Sequence, residues 1–160
     1  MKRLTIHERS TDHVFASTPG LLVTSWGGSV TTGLVGSLER VIRDLVASSR
    51  EGRYSAITVI EGTISMRFED DARERSAALQ KRFADHMRCQ AYLVEGVGFL
   101  PAAVRTVTAG MHLVTKSPYP VKVFSDAMTL ASWLAPRGDL DADDVARWVN
   151  EARHGSGTRA

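Results

Sequence analysis

Cysteine is almost missing from this chain: one residue, Cys89, in 160. No disulfide framework can form within the chain, so a packed core must hold the fold, and the expected compartment is a reducing one. Long apolar runs are missing as well. No stretch approaches the roughly 20 apolar residues that a membrane-spanning helix needs. The start, Met1-Lys2-Arg3-Leu4-Thr5-Ile6-His7-Glu8, lacks the apolar segment of a secretory signal. Neither sign of charge dominates: 20 Lys and Arg against 18 Asp and Glu leave a formal charge of +2, and no Lys/Arg block stands out, which argues against a nucleic-acid partner. No Gly-x-Ser-x-Gly elbow marks a serine nucleophile. These absences predict a cytoplasmic protein with no membrane insertion, no nucleic-acid partner, no cofactor and no catalytic residue of recognisable type.

What is present is ordinary globular material, 43% hydrophobic and 24% charged, in a chain long enough for one domain with a proper core. The first dozen residues carry no pattern and read as a loose arm or an edge. Two short apolar runs, 13–16 and 21–26, flank Thr18-Pro19-Gly20. Proline presets φ and glycine supplies positive φ, so a β-hairpin is expected. Leu34, Leu38, Val41, Ile42 and Leu45 then fall on one helical face, with Ser29, Thr31 or Thr32 as cap and Gly52 as stop.

Residues 56–60 and 91–94 are β-branched or apolar without alternation, as strands covered on both faces are. Between them a second helix is expected from about Glu69 to Met87, with Ala72, Leu79, Phe83 and Met87 inward. A third helix is expected to open at Pro101 and to break at Ser117-Pro118-Tyr119-Pro120. Residues 121–124 form the last expected strand. Ser125-Asp126 caps a short helix that should break at Pro136-Arg137-Gly138, and the acidic run 139–144 suits the start of a final helix. Strands alternating with helices predict an α/β fold: a small mixed, mostly parallel sheet with helices packed against it. The expected division is a domain over 1–136 and an added amphipathic helix and tail over 137–160.

This order of elements resembles the STAS domain, the fold of anti-sigma-factor antagonists and of sulfate-transporter tails, over residues 13 to 135. It is also similar to the core of Sec14-like domains. Glu95-Gly96-Val97-Gly98-Phe99-Leu100-Pro101-Ala102-Ala103-Val104-Arg105, Pro118-Tyr119-Pro120-Val121 and Ala131-Ser132-Trp133-Leu134 look like bacterial STAS-like proteins of unassigned function. The resemblance implies a non-enzymatic regulatory module that works by protein–protein interaction, in some cases as a homodimer. Phosphorylatable STAS domains carry an Asp-Ser-Ser/Thr-Gly type motif where the central strand meets the next helix. Here that junction reads Ile60-Glu61-Gly62-Thr63-Ile64-Ser65-Met66. Thr63 and Ser65 are the hydroxyls nearest that position, so a recognisable phospho-switch is missing.

Several residues are candidates for binding. Gly96-x-Gly98 follows a strand and opens a helix, where a phosphate can sit, but Pro101 replaces the third glycine of a dinucleotide fingerprint. Glu61 and Glu95 each end an expected parallel strand, the edge where ligands of open α/β sheets gather. With Gly62 and Arg105 they define a small-molecule or lipid-type site, or the carboxylates of an enzyme of unrecognised class. Asp126 ends the last strand on the same edge. His86 and Cys89 are spaced for one metal ion but have no second pair, so no metal site is expected. Val145, Trp148 and Val149 on the final helix are the candidate interface with a partner or a second copy; the alternative is burial in their own domain.

Overall fold

The computed structural model describes residues 2–61, 67–95 and 117–153. The expected third helix and its Gly96-x-Gly98 opening lie outside them. Eight strands are described: β1 (Thr5–Arg9), β2 (His13–Thr18), β3 (Leu21–Trp26), β4 (Ser29–Val30), β5 (Tyr54–Glu61), β6 (Arg67–Phe68), β7 (Met87–Glu95) and β8 (Val121–Phe124). Four helices accompany them: α1 (Thr32–Ser48), α2 (Asp70–Phe83), α3 (Ala127–Gly138) and α4 (Ala142–Arg153). Six strands make one sheet in the order β1-β2-β3-β5-β7-β8. The β1/β2 and β2/β3 pairs are antiparallel. The β3/β5, β5/β7 and β7/β8 pairs are parallel. This is the mixed, mostly parallel α/β sheet that the alternation of elements predicts.

The hairpin forms as expected, with Gly20 at φ 84° in its turn. The first dozen residues are more ordered than their composition suggests. Thr5–Arg9 is an edge strand on β2, with a register irregularity between Ile6 and Glu8 that interrupts a flat edge. Thr31 Oγ1 accepts from the Leu34 N–H at the start of α1, as its position implied. Two boundaries differ from expectation. Helix α2 stops at Phe83, and Met87 already belongs to β7, because the sheet continues four residues earlier than the apolar run 91–94 shows. Pro136 does not break α3, which runs on to Gly138. The helix ends when Asp139 takes a left-handed conformation (φ 53°) and its N–H bonds to the Ala135 carbonyl.

The sheet is covered on both faces. Phe15, Leu22, Trp26, Tyr54 and Ala56 pack under α1 and α2 with Val41, Ile42, Leu45, Leu79 and Phe83. Val14, Val23, Ile57, Val59, Ala91 and Leu93 pack under α3 and α4 with Leu130, Leu134, Val145, Trp148 and Val149. The final helix lies against β2, β3 and β5. Val145, Trp148 and Val149, read from the sequence as a candidate interface, are 0%, 1% and 0% exposed. Their stripe is consumed inside the domain, against the hairpin and the central strand, so it presents no surface to a partner. Residues 142–152 accordingly share one core with the sheet.

Truncating Trp148 to Ala is expected to cost about 3–5 kcal/mol, the usual cost of emptying a large aromatic site. A chain ended at Pro136 would uncover one sheet face and lose its cooperative melting transition; urea melts of both read the outcome. Glu51 sits at φ 60°, a conformation that costs a side-chain-bearing residue about 1–2 kcal/mol. Glu51→Gly should therefore raise stability by about 1 kcal/mol, even though it removes an exposed ion pair with Arg88.

Candidate functional site

The parallel strands β3, β5 and β7 end side by side. Trp26 is the register partner of Ile60, and Glu61 is the register partner of Glu95. The two glutamates singled out from the sequence thus stand at matching positions on adjacent strands, at the carboxyl edge. A second, two-stranded parallel pairing, β4 with β6, fastens the chain after Trp26 to the chain that enters α2. The Glu69 N–H donates to the Val30 carbonyl to continue it. This small ladder joins Arg67 and Phe68, which lead into α2, to the β3–α1 connection. Gly62, Thr63, Ser65, Gly96, Gly98 and Arg105 lie outside the described residues.

Below this rim a row of polar side chains crosses the sheet on the α1/α2 face. Trp26 Nε1 donates to Thr24 Oγ1 (3.0 Å), Thr24 Oγ1 donates to Thr58 Oγ1 (3.4 Å), and Gln90 Nε2 donates to Thr58 Oγ1 (3.1 Å) and to the Ala91 carbonyl. Each group is satisfied by a neighbour in its own strand or in the next, which makes a buried polar row tolerable in a core. Tyr92 stands on the same face, half-buried. Burial, with a smaller contribution from Tyr119, pushes its phenol up to about 12. Tyr54 is raised by the same causes. The row was hidden from sequence reasoning, because Thr24, Thr58 and Gln90 are 34 and 32 residues apart and only the strand register joins them.

His13, at the start of β2 and across from Trp26, is buried with both ring nitrogens engaged. Its Nε2 donates to Glu8 Oε1 at 2.9 Å. Its Nδ1 lies 2.8 Å from Ser10 Oγ, and that same oxygen accepts the N–H groups of Asp12 and His13. The Phe15 ring lies 4.8 Å from it, centroid to centroid. Ser, His and Glu meet here, but the hydroxyl is committed to closing the β1–β2 turn and the ring to sealing the edge of the core.

The remaining sequence candidates are scattered. His86 Nδ1 bonds to the Gly52 carbonyl, while the Cys89 thiol is buried and donates to Ser55 Oγ. Burial raises the Cys89 pKa, so the thiol is held in its unreactive form. Asp126 caps α3: its carboxylate accepts from the Thr129 N–H and hydroxyl, and those bonds lower its pKa. Among the described residues, no three His, Cys, Asp or Glu side chains group to hold a metal ion, and no helix is long and apolar enough to cross a membrane.

Compared with protein-family models and with curated proteins, the sequence matches none. Among solved structures it is similar to an uncharacterized protein of the DUF3478 family from Shewanella loihica PV-4, described as having a SpoIIAA-like fold. The two are 17% identical, with a TM-score of 0.51, over 84% of this chain and 95% of the other. The chain therefore has a SpoIIAA-like, STAS-type fold, which is the architecture that the order of its elements resembles.

The raised phenols fix a pH dependence. A phenol whose pKa is higher in the folded state than in the unfolded chain stabilises the fold fully below the unfolded value. The contribution is lost as pH rises from the ordinary value of 10.0 through about 12 for Tyr92. Denaturation midpoints should hold steady from neutral pH to about pH 10 and fall above it, and Tyr92→Phe should flatten the fall. Cys89 should react with a disulfide reagent at neutral pH only after denaturant is added.

Proposed function

We propose that this protein is a non-enzymatic regulatory module of the cytoplasm that binds a protein partner at the carboxyl edge of its sheet. The observation that carries the reading is the SpoIIAA-like fold. It is supported by the placement of Glu61 and Glu95 at matching strand ends, beside the connection that contains Thr63 and Ser65. In an α/β sheet the helices start at this edge, so their positive dipole ends collect there and acidic residues are tolerated. Such a rim suits a partner surface that is basic or rich in N–H donors. The partner is another protein or a second copy of the chain, and phosphorylation of Thr63 or Ser65 would add charge where the contact forms.

A second reading is favoured by the Trp26–Thr24–Thr58–Gln90 row and the half-buried Tyr92: a small-molecule or lipid-type ligand held on the α1/α2 face, below the strand ends at Glu61 and Glu95. Charge reversal separates the two. The double variant Glu61→Lys/Glu95→Lys, shown by melting to be folded, should lose a stoichiometric protein partner that the wild-type chain retains in affinity capture from its own cells. A small molecule kept by the native protein in mass spectrometry, with no protein partner lost on charge reversal, would overturn the interaction reading in favour of the second. Turnover that fails on Glu61→Gln or Glu95→Gln would instead point to an enzyme.

A further inference from the structure

The opposite end of the sheet holds a cleft of about 270 Å³ lined by Lys2, Pro19, Gly20, Arg50, Glu51, Arg53, Arg88, Gly138 and Asp139. It lies at the amino ends of β3, β5 and β7, about 23 Å from Glu61 along the eight residues of β5. Three connections that are remote in sequence converge on it: the β2–β3 turn, the segment between α1 and β5, and the end of α3. Four cations against two carboxylates leave its lining with a net charge of +2.

The positive charge is not used up inside the fold. Arg88 reaches Glu51 at 3.3 Å, and Arg53 donates to the Met87 carbonyl. The Lys2 ammonium and the Arg50 guanidinium have no ion-pair or hydrogen-bond partner among the described residues. Helices α1 and α3 both finish at this end, where their negative dipole ends favour cations. Three of the closing carbonyls have partners already: Ala135 accepts from the Asp139 and Leu140 N–H groups, Leu45 from the Ser48 hydroxyl, and Ser49 from the Gly52 N–H; neither cation bonds to any of them. Capping thus leaves these two cations without an assignment. The rim also contains two non-glycine residues with positive φ, Glu51 (60°) and Asp139 (53°). Strained backbone of this kind gathers at functional sites.

We propose that this cleft binds a phosphate-type dianion, with Arg50 and Lys2 supplying the uncommitted charge and Arg53 and Arg88 completing the cradle. A dianion matches the net charge of the lining, and a guanidinium fork binds a phosphate through paired N–H donors. The same chemistry is offered by free phosphate and by a phosphorylated hydroxyl side chain. The site is separate from the carboxyl edge, so it stands or falls independently of the partner reading above.

The test is a titration of the full, isotope-labelled chain followed by backbone amide resonances. Inorganic phosphate and O-phosphoserine are the probes, and sodium chloride of equal ionic strength is the control. Saturable shifts confined to Gly20, Arg50, Glu51, Arg53, Arg88 and Asp139, with a Kd of ~1 mM or tighter, are expected. Arg50→Gln and Lys2→Gln, both at exposed positions, should each weaken binding about tenfold, the loss of one charge-assisted contact. Tighter binding of O-phosphoserine would identify a phosphorylated side chain as the ligand, and equal or weaker binding free phosphate. Shifts that chloride reproduces, that never saturate, or that persist unchanged in Arg50→Gln would overturn the proposal.

Discussion

The register of β5 between β3 and β7 is the constraint from which the rest of this structure follows. Side chains alternate along a strand, so a slip of one residue would turn Ile57 and Val59 from one core to the other and expose what each face needs. With the register as it is, Ile57 and Val59 meet α3 and α4, while Tyr54 and Ala56 meet α1 and α2. The same ladder brings Thr24, Thr58 and Gln90 into one hydrogen-bonded row and sets Glu61 against Glu95. Packing, polar satisfaction and the layout of the candidate site are three readings of one pairing.

Much of the architecture was legible because it is written in local chemistry. Pro19-Gly20 marks the hairpin, Thr31 and Asp126 mark helix starts, and the unbroken apolar runs mark strands covered twice. What escaped is what tertiary pairing decides. Thr5–Arg9 has the polarity of an arm and becomes a strand only because β2 offers an open edge. Met87 continues the apolar stripe of the second helix but opens β7, since the neighbouring strand supplies hydrogen-bond partners there. Pro136 lies within three residues of the end of α3, where few further helical bonds remain to be lost, so it does not end the helix. The strip carrying Trp148 suited its own domain first and a partner second, because amphipathicity states that a face is buried without stating against what.

The candidate site was legible only in part. The carboxyl edge follows from the alternation of strands and helices, and Glu61 and Glu95 follow from their places at strand ends. The basic cleft at the other end does not, because Lys2, Arg50, Arg53 and Arg88 come from three separate stretches of sequence and none of these forms a charge run. Helix dipoles favour acids at one end of the sheet and bases at the other for a common reason. Every strand–helix–strand unit in a parallel sheet starts its helix at one edge and finishes it at the other, so the fold itself polarises the domain before any side chain is chosen.

The placement of α4 has a kinetic side. The last helix described packs on β2 and β3, the hairpin near the beginning of the chain. During synthesis the hairpin and α1 emerge first, and one face of the nascent sheet, with Val14 and Val23 on it, stays wet until residues 142–152 leave the ribosome. Loop closure over more than a hundred residues precedes the final burial, a high-contact-order step that slows folding and lengthens the exposure of a sticky intermediate. The second core of the domain is therefore the part that closes last.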